Sequence, residues 1–299
     1  MIKAAIIGMG NVGKSICEAV KAAPDMELRC VCARSEKADI PSELKNIRVK
    51  DHKDIQAHGE IDVALIGASS RACPDIAEEL LEMGVCAVDS YDIHPDIWEL
   101  KCRLDAAAKR NGKTSIISAG WDPGSDSVIR ALMAAMAPRG LSYTNFGPGM
   151  SMGHSVAAKA VTGVKDALSM TIPSGAGVHR RMVYVQLEKG ASVEEVTKKI
   201  KDDPYFSHDE TYVTEVDDVT KYMDVGHGVN IFRKGAAGSA HNQILEYSHK
   251  INGPALTGQI MVSAARAAVK QIPGCYTLIE IPVIDMLPGE KEDLIKNLV

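Results

Sequence analysis

A doubly wound parallel α/β sheet followed by a second, α+β domain is the fold class this sequence predicts, on three observations. Short apolar runs alternate with helix-patterned segments through the first 120 residues. A G-x-G-x-x-G string, Gly8-Met9-Gly10-Asn11-Val12-Gly13, follows the first run directly and opens the first helix. After Gly120 the chain changes to glycine-interrupted segments with two-residue alternation, as in an antiparallel sheet with one solvated face.

Taken in order, Lys3–Gly8 reads as a strand. Val12–Ala23 is a helix with Val12, Ile16, Ala19, Val20 and Ala23 on one face, stopped by Pro24. Met26–Ala33 is the second strand, and Val63–Ala68 is apolar almost throughout, as suits a strand covered on both faces. Asp75–Met83 is a helix ended at Gly84, Val85–Asp89 a strand, Pro95–Arg110 a helix closed near Gly112, and Ser115–Ala119 a further strand. Asp126–Met136 has the pattern of a helix. Beyond it, Arg181–Glu188 alternates with Val183, Val185 and Leu187 on one face, and Thr211–Val216 alternates again. Between them Ser192–Lys201 is a helix in which Ser192 and Glu195 have capping-box spacing. The helix Leu256–Gln271 and the apolar run Thr277–Ile284 could complete either domain.

Composition narrows the function classes. The 299 residues fit two domains, and 45% apolar with 24% charged residues is ordinary for a globular chain. A net charge of -5 gives no electrostatic case for nucleic acid. No apolar stretch approaches the roughly 18 residues that a membrane-spanning helix needs. Met1–Met9 runs straight into the glycine string without a cleavage pattern, so it is a strand rather than a signal peptide. The seven cysteines are an odd number and sit mostly in core-like segments, which suits reduced thiols and a cytoplasmic protein. Cys30 and Cys32 form a C-x-C, but no second cysteine pair completes a metal site. The nine histidines show no ligand spacing, so metal catalysis is not expected.

The glycine string has the strand–turn–helix context of a Rossmann-type dinucleotide site. Gly8, Gly10, Asn11, Val12 and Gly13 are expected to bring backbone N–H groups and a helix N-terminus to a pyrophosphate. The second strand ends Cys30-Val31-Cys32-Ala33-Arg34-Ser35, with no carboxylate where the ribose 2′-hydroxyl of NAD would want one. Arg34 offers a fork and Ser35 a hydroxyl to a 2′-phosphate, which favours NADP; Glu36 is the nearby acid that argues the other way. Ala68, Ser69 and Ser70, with Ser90 and Tyr91, stand at strand ends on the cofactor side.

Two of the strand ends carry a carboxylate beside an aromatic: Ser90-Tyr91-Asp92 and Trp121-Asp122-Pro123. Carboxylates next to a nicotinamide suggest an amine-bearing substrate. Asp122 has a second reading, as the cap of the helix that follows it. In the second domain Arg180 and Arg181 open a strand, one of them expected to be only a solvated charge. His227, between Gly226 and Gly228, reads as an exposed histidine in a mobile setting. His154 follows a glycine-rich stretch, 147–153, that looks like a binding loop.

Together these strings resemble a known family. Gly8–Gly13, V-D-S-Y-D-I-H at 88–94, S-A-G-W-D-P-G at 118–124, F-G-P-G-M-S-M-G-H-S at 146–155, D-V-G-H-G at 224–228 and P-G-C-Y-T-L-I-E-I-P at 273–282 are similar to meso-diaminopimelate dehydrogenases, over essentially the whole chain. The length resembles shorter members, some of which make D-amino acids from other 2-keto acids. The resemblance implies NADP-dependent, reversible oxidative deamination of the D-centre of meso-2,6-diaminopimelate to L-2-amino-6-oxopimelate and ammonia, in lysine and cell-wall precursor synthesis. It also implies a homodimer and a C-terminal segment that returns to the dinucleotide domain. The domains would then be 1–120 with about 250–299 for the dinucleotide, and 121–249 for substrate binding and dimerisation. Carried over by residue, Asp92, Trp121 and Asp122 would surround the D-centre, with Asp92 or Asp122 as the base. Phe146, Met152 and Gly153 would line the pocket, and Thr171, Arg181 and His227 would bind the distal L-centre carboxylate. The chain departs from the family at 252–254, where Asn252-Gly253-Pro254 replaces an Asn directly before proline. Asn252 is the candidate to stand in, and relaxed action on other D-amino acids is the alternative function. A sugar or inositol dehydrogenase would share the first domain, but Ser90–Pro95 contains no catalytic lysine.

Overall fold

The computed structural model describes every residue except Lys37 and residues 224–226. The chain divides into two units, Met1–Ala131 with Pro254–Val299, and Leu132–Gly253. It begins β1 (Ile2–Ile7), α1 (Asn11–Ala22), β2 (Met26–Cys32), β3 (Arg48–Val49), β4 (Val63–Ile66), α2 (Cys73–Glu82), β5 (Cys86–Asp89), α3 (Ile97–Asn111), β6 (Thr114–Ile116) and α4 (Ser125–Met136). There follow β7 (Arg139–Met150), α5 (Met152–Lys159), β8 (Val164–Gly175), β9 (Val178–Leu187), α6 (Val193–Asp202), β10 (Glu210–Glu215), β11 (His227–Ala237) and β12 (Ala240–Ile251). The chain ends with α7 (Gly253–Ala268), β13 (Gly274–Tyr276) and α8 (Lys291–Leu298).

The first unit holds a seven-stranded sheet in the order β13-β6-β5-β4-β1-β2-β3, with every pairing parallel. The strand order reverses beside β1, which places the ends of β1 and β4 at the switch point where doubly wound sheets bind ligands. The apolar run of β4 follows from this topology. Val63 and Leu65 pack into one core with Ile16 and Val20 of α1 and Met261 and Val262 of α7. Ala64 and Ile66 pack into the opposite core with Leu80 and Leu81 of α2 and Leu100 and Leu104 of α3. Successive strand residues face opposite layers, so a strand covered on both sides has no polar position to give.

The helix α7, left open between the two domains by its sequence, packs on the first sheet. Arg266 of α7 is buried and forks onto Asp25 at 2.7 and 2.8 Å. Gly258 meets the backbone of Ser15 and Ile16 where a Cβ would stand 2.7 Å from it, so α7 and α1 approach at glycine distance. The run 277–284 is not an extended segment: it folds as 3-10 turns at Leu278–Glu280 and Val283–Met286, with Pro282 between them lacking a ladder donor.

The second unit is built on a six-stranded sheet in the order β10-β9-β8-β7-β11-β12. It is mixed, because β10 runs parallel to β9 while the other neighbours are antiparallel. Val183 and Val185 of β9 face inward onto Val196 and Ile200 of α6 and onto Phe206. Ser192 caps α6 by accepting from the N–H groups of Glu194 and Glu195 at 3.2 and 3.4 Å. Its hydroxyl proton goes to Glu194, at 2.5 Å, so the acid that answers the cap is Glu194 and not the Glu195 of the expected box.

Candidate active site

The turn after β1 is shaped for a dinucleotide. Gly8 has φ +94 and lies against the backbone of Gly67, while a Cβ on Gly13 would sit 2.0 Å from the Gly8 carbonyl. These two glycines close the turn against β4 and α1. Gly10, at the N-cap of α1, has nothing within 4 Å of where its Cβ would be. The residues therefore fit the group: a helix N-terminus opens onto space that any side chain at position 10 would fill. Arg34 and Ser35 are exposed just after β2. Arg48 holds their turn by donating to the carbonyls of Ala33, at 3.0 Å, and Ser35, at 2.8 Å. Glu36 is ion-paired with Lys50 at 2.8 Å, both well exposed.

Asp92 is exposed at the end of β5 and accepts from the Ser70 hydroxyl at 2.6 Å. Ser70, expected on the cofactor, thus also joins the β4 and β5 loops. Asp122 does not cap α4. The helix begins at Ser125, and the serines of its first turn serve its entry: Gly124 N–H donates to Ser127 Oγ and Ser125 Oγ to the Trp121 carbonyl, both at 3.2 Å. The Asp122 carboxylate, only 6% exposed, is gripped instead by the Arg130 guanidinium, which contacts both of its oxygens. Beneath the two loops lies Asp89, fully buried. Its Oδ1 accepts from Tyr91 N–H at 2.9 Å and Ser118 N–H at 3.1 Å. Burial pushes its carboxyl up to about 6 against the pull of those two N–H groups.

In the second unit the expected carboxylate binders fall into one row across the sheet. Arg181 of β9 stands opposite Thr171 of β8, Thr171 opposite Gly149 of β7, and Gly149 opposite His227 of β11. Directly opposed residues share a face, so Arg181, Thr171, Gly149 and His227 lie side by side. The Arg181 guanidinium reaches the Thr171 hydroxyl and pairs through Nε with Asp209 at 2.6 Å. Arg180, by contrast, is the solvated charge, 3.0 Å from Glu210 at the surface. The exposed setting expected for His227 is wrong: the residue is 9% exposed, because β11 starts at His227 itself and carries it between β7 and β12. Gly226 on its other side lies outside the described residues. Burial, with Arg181 nearby, holds the His227 imidazole below its usual range, despite the opposing carbonyls of Met150 and Gly149.

Phe146 lies 6.3 Å from His227, ring to ring, and donates its backbone N–H to His179 Nε2 at 2.8 Å. Met152 and Gly153 open α5, two residues beyond Met150 at the end of β7. Asn252 is exposed immediately after Ile251, the β12 partner of His227. His154 belongs to an aromatic cluster, edge-on to Phe206 and Tyr205 with Nδ1 2.8 Å from Ser151 Oγ, and burial pushes it down to about 4. Sequence reasoning missed Arg130, Asp209, His179 and the role of Asp89. Arg130 alone had a local signal, on the helix that follows Asp122; the others act across strands or loops. Among the described residues no cluster of histidine, cysteine or acidic groups could hold a metal.

Two family models match the chain: the diaminopimelic acid dehydrogenase C-terminal domain over residues 120–178, and an oxidoreductase family with an NAD-binding Rossmann fold over residues 2–91. A Bacteroides fragilis meso-diaminopimelate D-dehydrogenase is 52% identical over 299 residues, covering 100% of this chain and 99% of its own. One from Ureibacillus thermosphaericus is 33% identical with the same coverage. Among solved structures, a C. glutamicum DAP dehydrogenase in complex with DAP aligns with TM-score 0.88 at 29% identity, over 100% of this chain and 99% of that one. An engineered D-amino acid dehydrogenase bound to NADP+ aligns with TM-score 0.85 at 28% identity and the same coverage.

Proposed function

The chain belongs to the meso-diaminopimelate D-dehydrogenase family, and on that premise we propose that it catalyses reversible, NADP-dependent oxidative deamination of the D-centre of meso-2,6-diaminopimelate, yielding L-2-amino-6-oxopimelate and ammonia. It is an NAD(P)-dependent amino acid dehydrogenase of α/β fold, with a Rossmann sheet and a second mixed-sheet domain. The observation that carries the substrate reading is the Arg181–Thr171–Gly149–His227 row, a charged and neutral donor set for a carboxylate, in a chain that also supplies two strand-end carboxylates for an ammonium. NADP is preferred over NAD because Arg34 and Ser35 end β2 where an acid would serve NAD, and Glu36 is engaged by Lys50. A cytoplasmic homodimer completes the reading. Its support is the family, the free cysteines, six of the seven buried, and the lack of any described helix long and apolar enough to cross a membrane.

The dinucleotide held at the Gly8–Gly13 turn would supply the hydride acceptor for the D-α-carbon. The protein's part is to deliver that carbon with a neutral amine. Asp122 already has its charge met by Arg130, so it serves to orient. Asp92, which accepts from the neutral Ser70 hydroxyl, meets the ammonium and takes its proton. Loss of hydride from the neutral amine then leaves an iminium ion, which water attacks, and ammonia departs. For the L-centre carboxylate the second unit offers Arg181, held by Asp209, and His227. Asn252 supplies the contact that the family makes with an Asn directly before proline.

The test is NADPH formation when the purified protein meets NADP with meso-diaminopimelate, the L,L isomer or D-alanine. Turnover of the meso isomer without the L,L isomer is expected. Silence on the meso isomer while NADP binds would remove the substrate assignment, and comparable turnover of D-alanine would put the relaxed D-amino acid dehydrogenase in its place.

A further inference from the structure

Asp89 is a buried ionisable group that the reaction itself does not use. It closes β5, its side chain is fully buried, and its Oδ2 has no hydrogen-bond partner among the described residues. Its Oδ1 is shared. Accepting from Tyr91 N–H, two residues on, is an ordinary local turn of an Asp. The second donor, Ser118 N–H, comes from the far loop, and Ala119 N–H adds a bond of 2.7 Å to the Asp89 carbonyl. Ser118 has φ 54, a left-handed conformation that a non-glycine residue keeps only when its surroundings impose it.

The two loops tied in this way carry Asp92 on one side and Trp121 and Asp122 on the other. One carboxylate oxygen thus fixes the loop of one proposed amine-handling acid relative to the loop of the other. We propose that Asp89 is a positioning residue for the dehydrogenase reaction, setting the spacing of Asp92 and Asp122 through its bonds to Tyr91 and Ser118. The proposal rests on the reading of Asp92 and Asp122 given above. It predicts an effect on turnover rather than on cofactor binding, because a displacement of about 1 Å between acting groups can cost on the order of 100-fold in rate.

The experiment compares wild type, Asp89→Leu and Asp89→Asn, reading kcat and KM with meso-diaminopimelate and, separately, NADP affinity by calorimetry. The leucine removes the acceptor; the asparagine keeps a carbonyl oxygen where Oδ1 stands. Expected is a fall in kcat of about 100-fold for Asp89→Leu, with NADP affinity within threefold of wild type, and kcat within about fivefold for Asp89→Asn. A purely structural role would lower the melting temperature and leave kcat per NADP-binding site unchanged, and that result would overturn the proposal. Should the leucine variant not fold, Asp89→Ala takes its place under the same criteria, and a loss beyond tenfold for Asp89→Asn with NADP binding intact refutes the proposal. An inactive wild type would overturn the underlying reading, and the proposal with it; an active wild type beside an equally active Asp89→Leu overturns the proposal alone.

Discussion

Asp89→Asn should gain stability relative to wild type as pH rises from acid to neutral, and the gain should shrink as pH falls. The carboxyl is wholly buried, accepts two N–H groups on one oxygen and has no described partner on the other, and its folded value is pushed up to about 6 from an ordinary 3.8. The folded state therefore holds the proton more tightly than the unfolded one. Stability attributable to this group is highest below about pH 4, is lost as pH rises towards 6, and is constant above that. The displacement corresponds to about 3 kcal/mol in full, of which about 2 kcal/mol falls between pH 4.5 and 7.5. The amide cannot ionise, so Asp89→Asn lacks this loss; the buried NH2 that it leaves without a described acceptor costs the same at every pH. Thermal melts of both proteins at pH 4.5 and 7.5 should show the variant's advantage growing by roughly 4–8 °C towards neutral pH. A difference that is flat with pH, or that grows towards acid, would refute the claim that ionised Asp89 is held at a cost.

Four other outcomes are expected. Arg181→Ala should raise KM for meso-diaminopimelate by about 100-fold, as loss of a charge-assisted contact implies, and leave NADP affinity unchanged; equal losses in both would mean that the second unit had misfolded. Asp209→Ala should raise the same KM by about tenfold, since Arg181 then loses its carboxylate partner and keeps the Thr171 hydroxyl. Arg34→Ala should weaken NADP by about tenfold and leave NAD untouched, as measured by titration of each. His154→Gln should remove part of the acid lability of the second unit. The imidazole is held down to about 4, so the unfolded chain takes up its proton first, and stability is lost as pH falls from about 6.5 towards 4. Urea midpoints at pH 7 and 5 would check this, and an unchanged difference between the two proteins would count against it.

Much of this protein is written in local sequence. The alternation of apolar runs with helices determines the parallel sheet, because strands covered on both faces, such as Val63–Ile66, have no polar position to offer. The glycines at 8, 10 and 13 determine the dinucleotide turn, since closing it demands the absence of Cβ atoms and opening it to a pyrophosphate demands empty space. Asp92, Trp121 and Asp122 are legible because a doubly wound sheet exposes its strand ends to ligand. What the tertiary structure alone decided is which partner each polar group meets. Asp122 reads equally well as a helix cap or as a site residue until Arg130 is seen to take both its oxygens. Arg180 and Arg181 are indistinguishable in sequence; the start of β10 parts them, with Glu210 beside one and Asp209, the residue before the strand, beside the other. His227 looks exposed between two glycines, and the pairing of β11 buries it in a row with Thr171 and Arg181. Asp89 shows nothing in sequence, because one of its two donors lies 29 residues away. Periodicity and chain stiffness act over a few residues and can be read along the chain. Hydrogen bonds and ion pairs between distant segments depend on strand register, which exists only once the sheets have formed.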